Sequence, residues 1–81
     1  MADDVADRVK KVVAEQLKAD ESKVTPEARF VEDLGADSMK SLELIAAFEA
    51  EFDLDMDMDE AGKVQTVGAA VEFIQQELDK A

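Results

Sequence analysis

Three stretches of this chain repeat apolar residues at steps of three and four, which restricts the fold to amphipathic helices packed against one another. In the first, about Asp3 to Ala19, Val5, Val9, Val12, Val13 and Leu17 fall on one stripe. Asp3, Asp4 and Asp7 suit the positive end of such a helix and Lys18 its negative end. Arg8, Lys11, Glu15 and Lys18 cover the outer face, where pairing contributes a few tenths of a kcal/mol. The second stretch runs from about Ser38 to Phe52. A 100° step puts Ser41, Leu42, Leu44, Ile45, Phe48 and Phe52 on its core side. Met39, Lys40, Glu43, Ala46, Ala47 and Ala50 then face outward. The third opens at Thr66, a good N-cap, and reaches about Leu78. Val67, Ala70, Val71, Ile74 and Leu78 make its narrow stripe, with Phe73 off to one side, at a neighbouring helix edge.

The connections complete the expected architecture. Residues 20–36 form a long loop, broken by Asp20-Glu21-Ser22 and Thr25-Pro26, with Val24, Phe30 and Leu34 as its apolar anchors. Residues 53–58 alternate acid and apolar like a strand, but no partner strand exists in the sequence. An extended connection with Leu54 or Met56 turned inward follows. One short helical turn fits between Asp57 or Met58 and Lys63, ending near Gly62. The expected fold class is all-α: a small four-helix bundle of three main helices and one short one, with a long first loop. Residues 1–81 form one domain.

Composition removes several functions. The 81 residues include 9 basic and 21 acidic side chains, a net charge of −12, with no Cys and no His. No Cys excludes a disulfide framework, a thiolate nucleophile and a zinc-thiolate site. No His removes the usual proton shuttle and the commonest transition-metal ligand. A charge of −12 repels nucleic acid and anionic lipid, so neither is an expected partner. The apolar runs are too short to insert in a membrane, and the acidic start Met1-Ala2-Asp3-Asp4 is no secretory signal, so a cytoplasmic protein is expected. Charge is uneven: residues 1–29 hold 7 acids and 6 bases, residues 30–81 hold 14 acids and 3 bases. A domain this small buries about 60 % of its unfolded surface, so self-repulsion should leave it marginal and salt-sensitive.

No catalytic constellation is present. Lys40 stands two residues from Ser38, and on a helix such residues do not face each other. Asp53, Asp55 and Asp57 match the first positions of a calcium loop, but Met58 stands where Gly is needed and Val64 where a bidentate Glu is needed. Starting the frame at Asp55 fails as well, with Glu60 and Thr66 at those positions. No specific metal site is expected, only loose divalent screening. The outward stripe of Met39 and three alanines on the second helix has two readings: a surface for partners, or plain helix propensity.

The sharpest feature is Asp33-Leu34-Gly35-Ala36-Asp37-Ser38. Glycine permits a tight turn, and Asp37 can cap the coming helix. Ser38 would then present its hydroxyl beside unpaired backbone N–H groups, where a phosphate ester is favoured. The alternative is that Ser38 itself is the cap and Asp37 belongs to the loop.

This segment, followed by Ser41-Leu42-Glu43-Leu44, resembles the prosthetic-group site of acyl carrier proteins. The similarity continues through Glu49-Ala50-Glu51-Phe52-Asp53 and Ala61-Gly62-Lys63-Val64-Gln65-Thr66-Val67. The resemblance implies 4′-phosphopantetheine on Ser38, placed there from coenzyme A by a Mg²⁺-dependent phosphopantetheinyl transferase. The missing cysteine fits, since the arm brings the thiol. It implies thioester-bound acyl groups delivered to loading, elongating and transferring enzymes of fatty-acid or related lipid synthesis, by a monomer that catalyses nothing. Partners with basic patches would meet the acidic second helix: Asp37, Glu43 and Glu49 match family contact positions, and Met39 and Met56 apolar ones. Leu42, Ile45, Phe48, Val64, Val67, Ala70, Val71 and Ile74 are the expected acyl-chain cavity. Three residues depart from the family pattern: Lys40 stands where many members have an acid, Ala46 replaces a larger apolar contact, and Ala50 replaces an acid. A specialised carrier is the reading of those departures. The rivals are a polyketide or peptidyl carrier, and an acidic interaction or divalent-binding protein with no arm.

Overall fold

The apolar periodicities resolve into helices in a computed structural model, which describes residues 5–80. The helices are α1 (Val5–Leu17), α2 (Ser38–Phe52), α3 (Met58–Ala61) and α4 (Val67–Lys80). A 3₁₀ turn, Glu21–Lys23, interrupts the first loop. This is the expected all-α bundle. Asp3 and Asp4, assigned to the first helix from the sequence, lie outside the described residues, as does the start Met1-Ala2.

α1 packs against both α2 and α4. Val9, Val12 and Val13 from its stripe, Leu44, Phe48 and Phe52 from α2, and Val67, Ala70 and Ile74 from α4 close the core. No polar side chain is buried among the described residues. Each of the first two helices ends on a left-handed residue that is not glycine. Lys18 has φ 54° and Asp53 φ 53°. Behind them, the Ala19 amide donates to the Ala14 carbonyl (3.0 Å) and the Leu54 amide to the Glu49 carbonyl (3.2 Å). These bonds satisfy the last-turn carbonyls that a helix leaves unpaired. Arg8 ties α1 to the end of α2. Its Nε lies 2.9 Å from a Glu51 carboxylate oxygen, and its guanidinium stacks 4.4 Å from the Phe52 ring centre.

The long first loop is held more firmly than its three expected anchors suggest. Val24 and Phe30 are buried and Leu34 packs on the core. Ala28 and Ala36 are buried too, and the sequence reading missed them. Moreover, the loop is stitched to the start of α4. Phe30 N donates to the Gln65 carbonyl (2.9 Å), Val67 N to Ala28 (3.0 Å) and Gly68 N to Pro26 (2.9 Å). Arg29 and Thr66 thus form an antiparallel bridge.

On α2 two assignments need correction. Leu42, assigned to the core side, is 49 % exposed. The apolar arc of α2 is wider than the face its neighbours cover, and Leu42 sits on the uncovered edge. Ala47, assigned outward, is half-buried against the core. In the second connection Met56 is buried, and Leu54 packs on the core. Phe73, off the α4 stripe, packs there too.

Candidate functional site

Residues 29–36 fold into a compact turn that delivers the chain to α2. Asp33 and Leu34 amides both donate to the Arg29 carbonyl (2.9 and 3.1 Å), and Ala36 N donates to Phe30 (2.8 Å). Gly35 takes φ +75°, a conformation that L side chains rarely adopt. The Asp33 carboxylate accepts the Arg29 amide at 2.8 Å. That hydrogen bond, aided by the Arg29 guanidinium, holds the Asp33 carboxyl below the usual aspartate range.

The chain then enters α2 with Asp37 extended as its N-cap. One Asp37 carboxylate oxygen accepts the Lys40 amide at 2.9 Å. The Asp37 carbonyl accepts Ser41 N at 2.9 Å. Capping is therefore the work of Asp37 and not of Ser38. Ser38 is the first helical residue, exposed, and its hydroxyl makes no hydrogen bond among the described residues. It stands at the positive end of the α2 dipole, beside first-turn amides that precede the helical ladder. A hydroxyl so placed accepts a phosphoryl group without dismantling any local structure.

Around Ser38, Met39 is 66 % exposed and Val31 62 %. Glu43 and Ala46 are exposed as well, and Lys40 pairs with Glu43 at 3.4 Å. The structure thus brings four of the six expected partner residues, Met39, Lys40, Glu43 and Ala46, to one outward face. The other two are different. Glu49 is half-buried, and its carboxylate accepts the Met56 amide at 2.9 Å. Met56, expected to meet partners, is only 8 % exposed, because its side chain packs inward and lines a cavity that opens between the first loop and the helices.

That cavity has a volume of about 420 Å³, within the range of small-molecule sites. Ser41, one turn beyond Ser38, lines it. Of the eight residues expected to form it, Ile45, Phe48, Val64 and Ala70 do. The other four do not. Leu42 is exposed, Val67 and Ile74 are buried in the core away from the cavity lining, and Val71 packs on the core half-buried. The sequence reading missed Phe30 and Val31 of the first loop, Leu44 of α2, Met56 and Ala61 around α3, and Phe73 of α4. A signal existed for the loop: an isolated aromatic in a polar connection needs somewhere to go. Arg29 and Glu32, paired at 2.9 Å, add a charged rim. The acids from Asp53 to Glu60 form no group that could hold a metal ion among the described residues.

Residues 7–74 match the family described as "Phosphopantetheine attachment site". An acyl carrier protein of Phenylobacterium zucineum is 55 % identical over 75 residues, covering 93 % of this chain and 95 % of that one. An acyl carrier protein of Caulobacter vibrioides is 54 % identical over 71 residues, covering 88 % and 91 %. The chain belongs to the phosphopantetheine attachment-site family, and within it to the acyl carrier proteins.

Proposed function

We propose that this chain, as a single carrier domain over 1–81, bears its 4′-phosphopantetheine on Ser38 and carries acyl groups for fatty-acid or related lipid synthesis. The observation that carries this reading is the division of labour at the start of α2. Asp37 caps the helix through the Lys40 amide, so the Ser38 hydroxyl is left exposed at the dipole's positive end. The group supplies, when bound, a thiol that holds acyl chains as thioesters. The chain has no cysteine of its own to do so.

The protein's residues contribute tethering and shelter. Attachment to Ser38 raises the effective concentration of a cargo at each enzyme that docks. An acyl chain entering the 420 Å³ cavity meets Ile45, Phe48, Val64 and Ala70. Each CH₂ buried there gains about 0.8 kcal/mol, so several carbons outweigh a modest opening cost. No residue here is asked to catalyse. The carrier works as a cytoplasmic monomer, and its partners are a phosphopantetheinyl transferase and acyl-handling enzymes with basic patches. They meet the face around Met39, Glu43 and Ala46, where opposite charge speeds encounter and leaves affinity modest.

The test is loading. Purified protein is incubated with coenzyme A and a promiscuous transferase, and its intact mass is taken. Wild type should gain one phosphopantetheine increment and Ser38→Ala none. An increment on both variants, or on neither, removes Ser38 from the reading. A second measurement concerns the departures from the family pattern. Lys40 takes up one acid of the recognition face by pairing with Glu43. Lys40→Glu should therefore speed association with a housekeeping fatty-acid synthase enzyme that has a basic patch, by roughly two- to tenfold at low salt. An unchanged rate would show that Lys40 does not mark a specialised carrier.

A further inference from the structure

The turn of residues 29–36 is tied down at both ends. At its start, Phe30 N donates to the Gln65 carbonyl and Arg29 faces Thr66 in the antiparallel bridge, which fixes this end on the head of α4. At its far end Ala36 is buried, and its amide reaches back to the Phe30 carbonyl. Between the two, the Arg29 carbonyl gathers the Asp33 and Leu34 amides, and Gly35 N donates to the Val31 carbonyl at 3.2 Å. The Arg29 amide is left over, since no backbone carbonyl among the described residues accepts it. The Asp33 carboxylate takes it instead, at 2.8 Å, with Arg29 Nε 3.4 Å from the same oxygen. A charge-assisted bond of this kind is stronger than one between neutral groups. The Asp33 side chain is 44 % exposed, so it locks the turn without filling any core space.

Ala36 hands the chain directly to the Asp37 cap and then to Ser38, so an error in the turn is carried into the position of the hydroxyl. We propose that Asp33 is a positioning residue for attachment of the arm: by locking the Arg29 amide it fixes the turn and, through the turn, the Ser38 hydroxyl. The inference rests on the carrier reading and adds to it a residue that acts through the backbone. In the transfer, Ser38 Oγ bonds to the pantetheine-bearing phosphorus of coenzyme A and the bridging P–O bond of the pyrophosphate breaks. The adenosine bisphosphate leaves, and the hydroxyl proton passes to a base on the transferase. Such a displacement needs the attacking oxygen in line, and a misplacement of about 1 Å can cost on the order of 100-fold in rate.

Loading kinetics test the proposal. Arm-free protein is loaded from coenzyme A by a promiscuous transferase at varied carrier concentration. Asp33→Ala should lower kcat about tenfold and leave KM for the carrier within about twofold of wild type, because the hydroxyl is misplaced while docking is not. Asp33→Asn keeps an acceptor oxygen and should bring kcat back to within about threefold of wild type. Equal kcat in wild type and Asp33→Ala overturns the proposal. A rise in KM shared by both variants at unchanged kcat, the behaviour of a docking charge, overturns it as well, and so does a fall in kcat of equal size in both. Truncation of an exposed side chain leaves the helices in place, which circular dichroism checks. Hydrogen exchange of the Arg29 amide reads the lock itself: it should run about tenfold faster in Asp33→Ala and return toward the wild-type rate in Asp33→Asn. Equal exchange in all three proteins removes the lock. Wild type that takes no arm ends the carrier reading and this role with it, whereas wild type and Asp33→Ala loading alike ends this role alone.

Discussion

At the scale of single residues, two aspartates four positions apart do different work. Asp33 folds back onto the Arg29 amide and closes the turn before α2, whereas Asp37 caps the helix itself. The Asp33 contact has a pH signature. Its folded pKa is lowered, first by the hydrogen bond from the Arg29 amide and then by the Arg29 side chain. A lowered carboxyl stabilises the fold fully above the ordinary aspartate value of 3.8, and the contribution is lost as pH falls through the folded value beneath it. A carboxyl titration followed by NMR should place the Asp33 inflection below that ordinary value. Asp33→Asn should move acid unfolding toward lower sensitivity over the same window. An inflection at the ordinary value would mean that the turn exerts no hold on this charge. Asp20, whose carboxylate accepts the Ser22 amide at 3.1 Å, is lowered for the same kind of reason.

At the scale of elements, the first loop and α4 approach each other closely at their junction. A Cβ on Gly68 would stand 3.0 Å from the Pro26 carbonyl oxygen, the same oxygen that accepts the Gly68 amide. Gly68→Ala adds helix propensity, but it does so in the first turn of α4, where propensity counts least. Overpacking against a backbone oxygen should win, lowering stability by about 1 kcal/mol in a denaturant titration. A gain in stability would show that the loop yields freely. This junction also marks where sequence reasoning stopped. The bounds of α2, Ser38–Phe52, are those the periodicity and the Asp37 cap predict. The partners of residues 26–30 are not readable from any local pattern, because their hydrogen bonds go to residues 65–68, far along the chain. Ala28 and Ala36, which carry no local signal of burial, are core. Leu42 failed in the opposite way: the helical wheel gives an apolar arc but not the width of the neighbour that covers it. Among the cavity residues, Ile45, Phe48 and Ala70 were legible because they lie on helices with clear stripes. The loop residues Phe30, Val31 and Met56 depend on tertiary placement.

At the scale of the whole molecule, the net charge of −12 sits on a body of about 31 × 30 × 19 Å. Asp53, Asp55, Asp57 and Asp59 stand exposed along one connection without a paired base among the described residues. The Debye length shrinks from about 30 Å at 0.01 M to about 8 Å at 0.15 M salt, so added salt should relieve their repulsion. A rise in Tm of roughly 5 °C over that range corresponds to about 1 kcal/mol for a domain this size. An unchanged Tm would mean that repulsion does not limit folding.

The measurement that bears most directly on the account is the position of the arm. The chain offers three serines, Ser22, Ser38 and Ser41, of which Ser41 is half-buried at the cavity and Ser22 belongs to the 3₁₀ turn. Fragmentation of the loaded protein in a mass spectrometer assigns the phosphopantetheine to one of them. The account predicts it on Ser38 alone; finding it on Ser22 or Ser41 instead would contradict it.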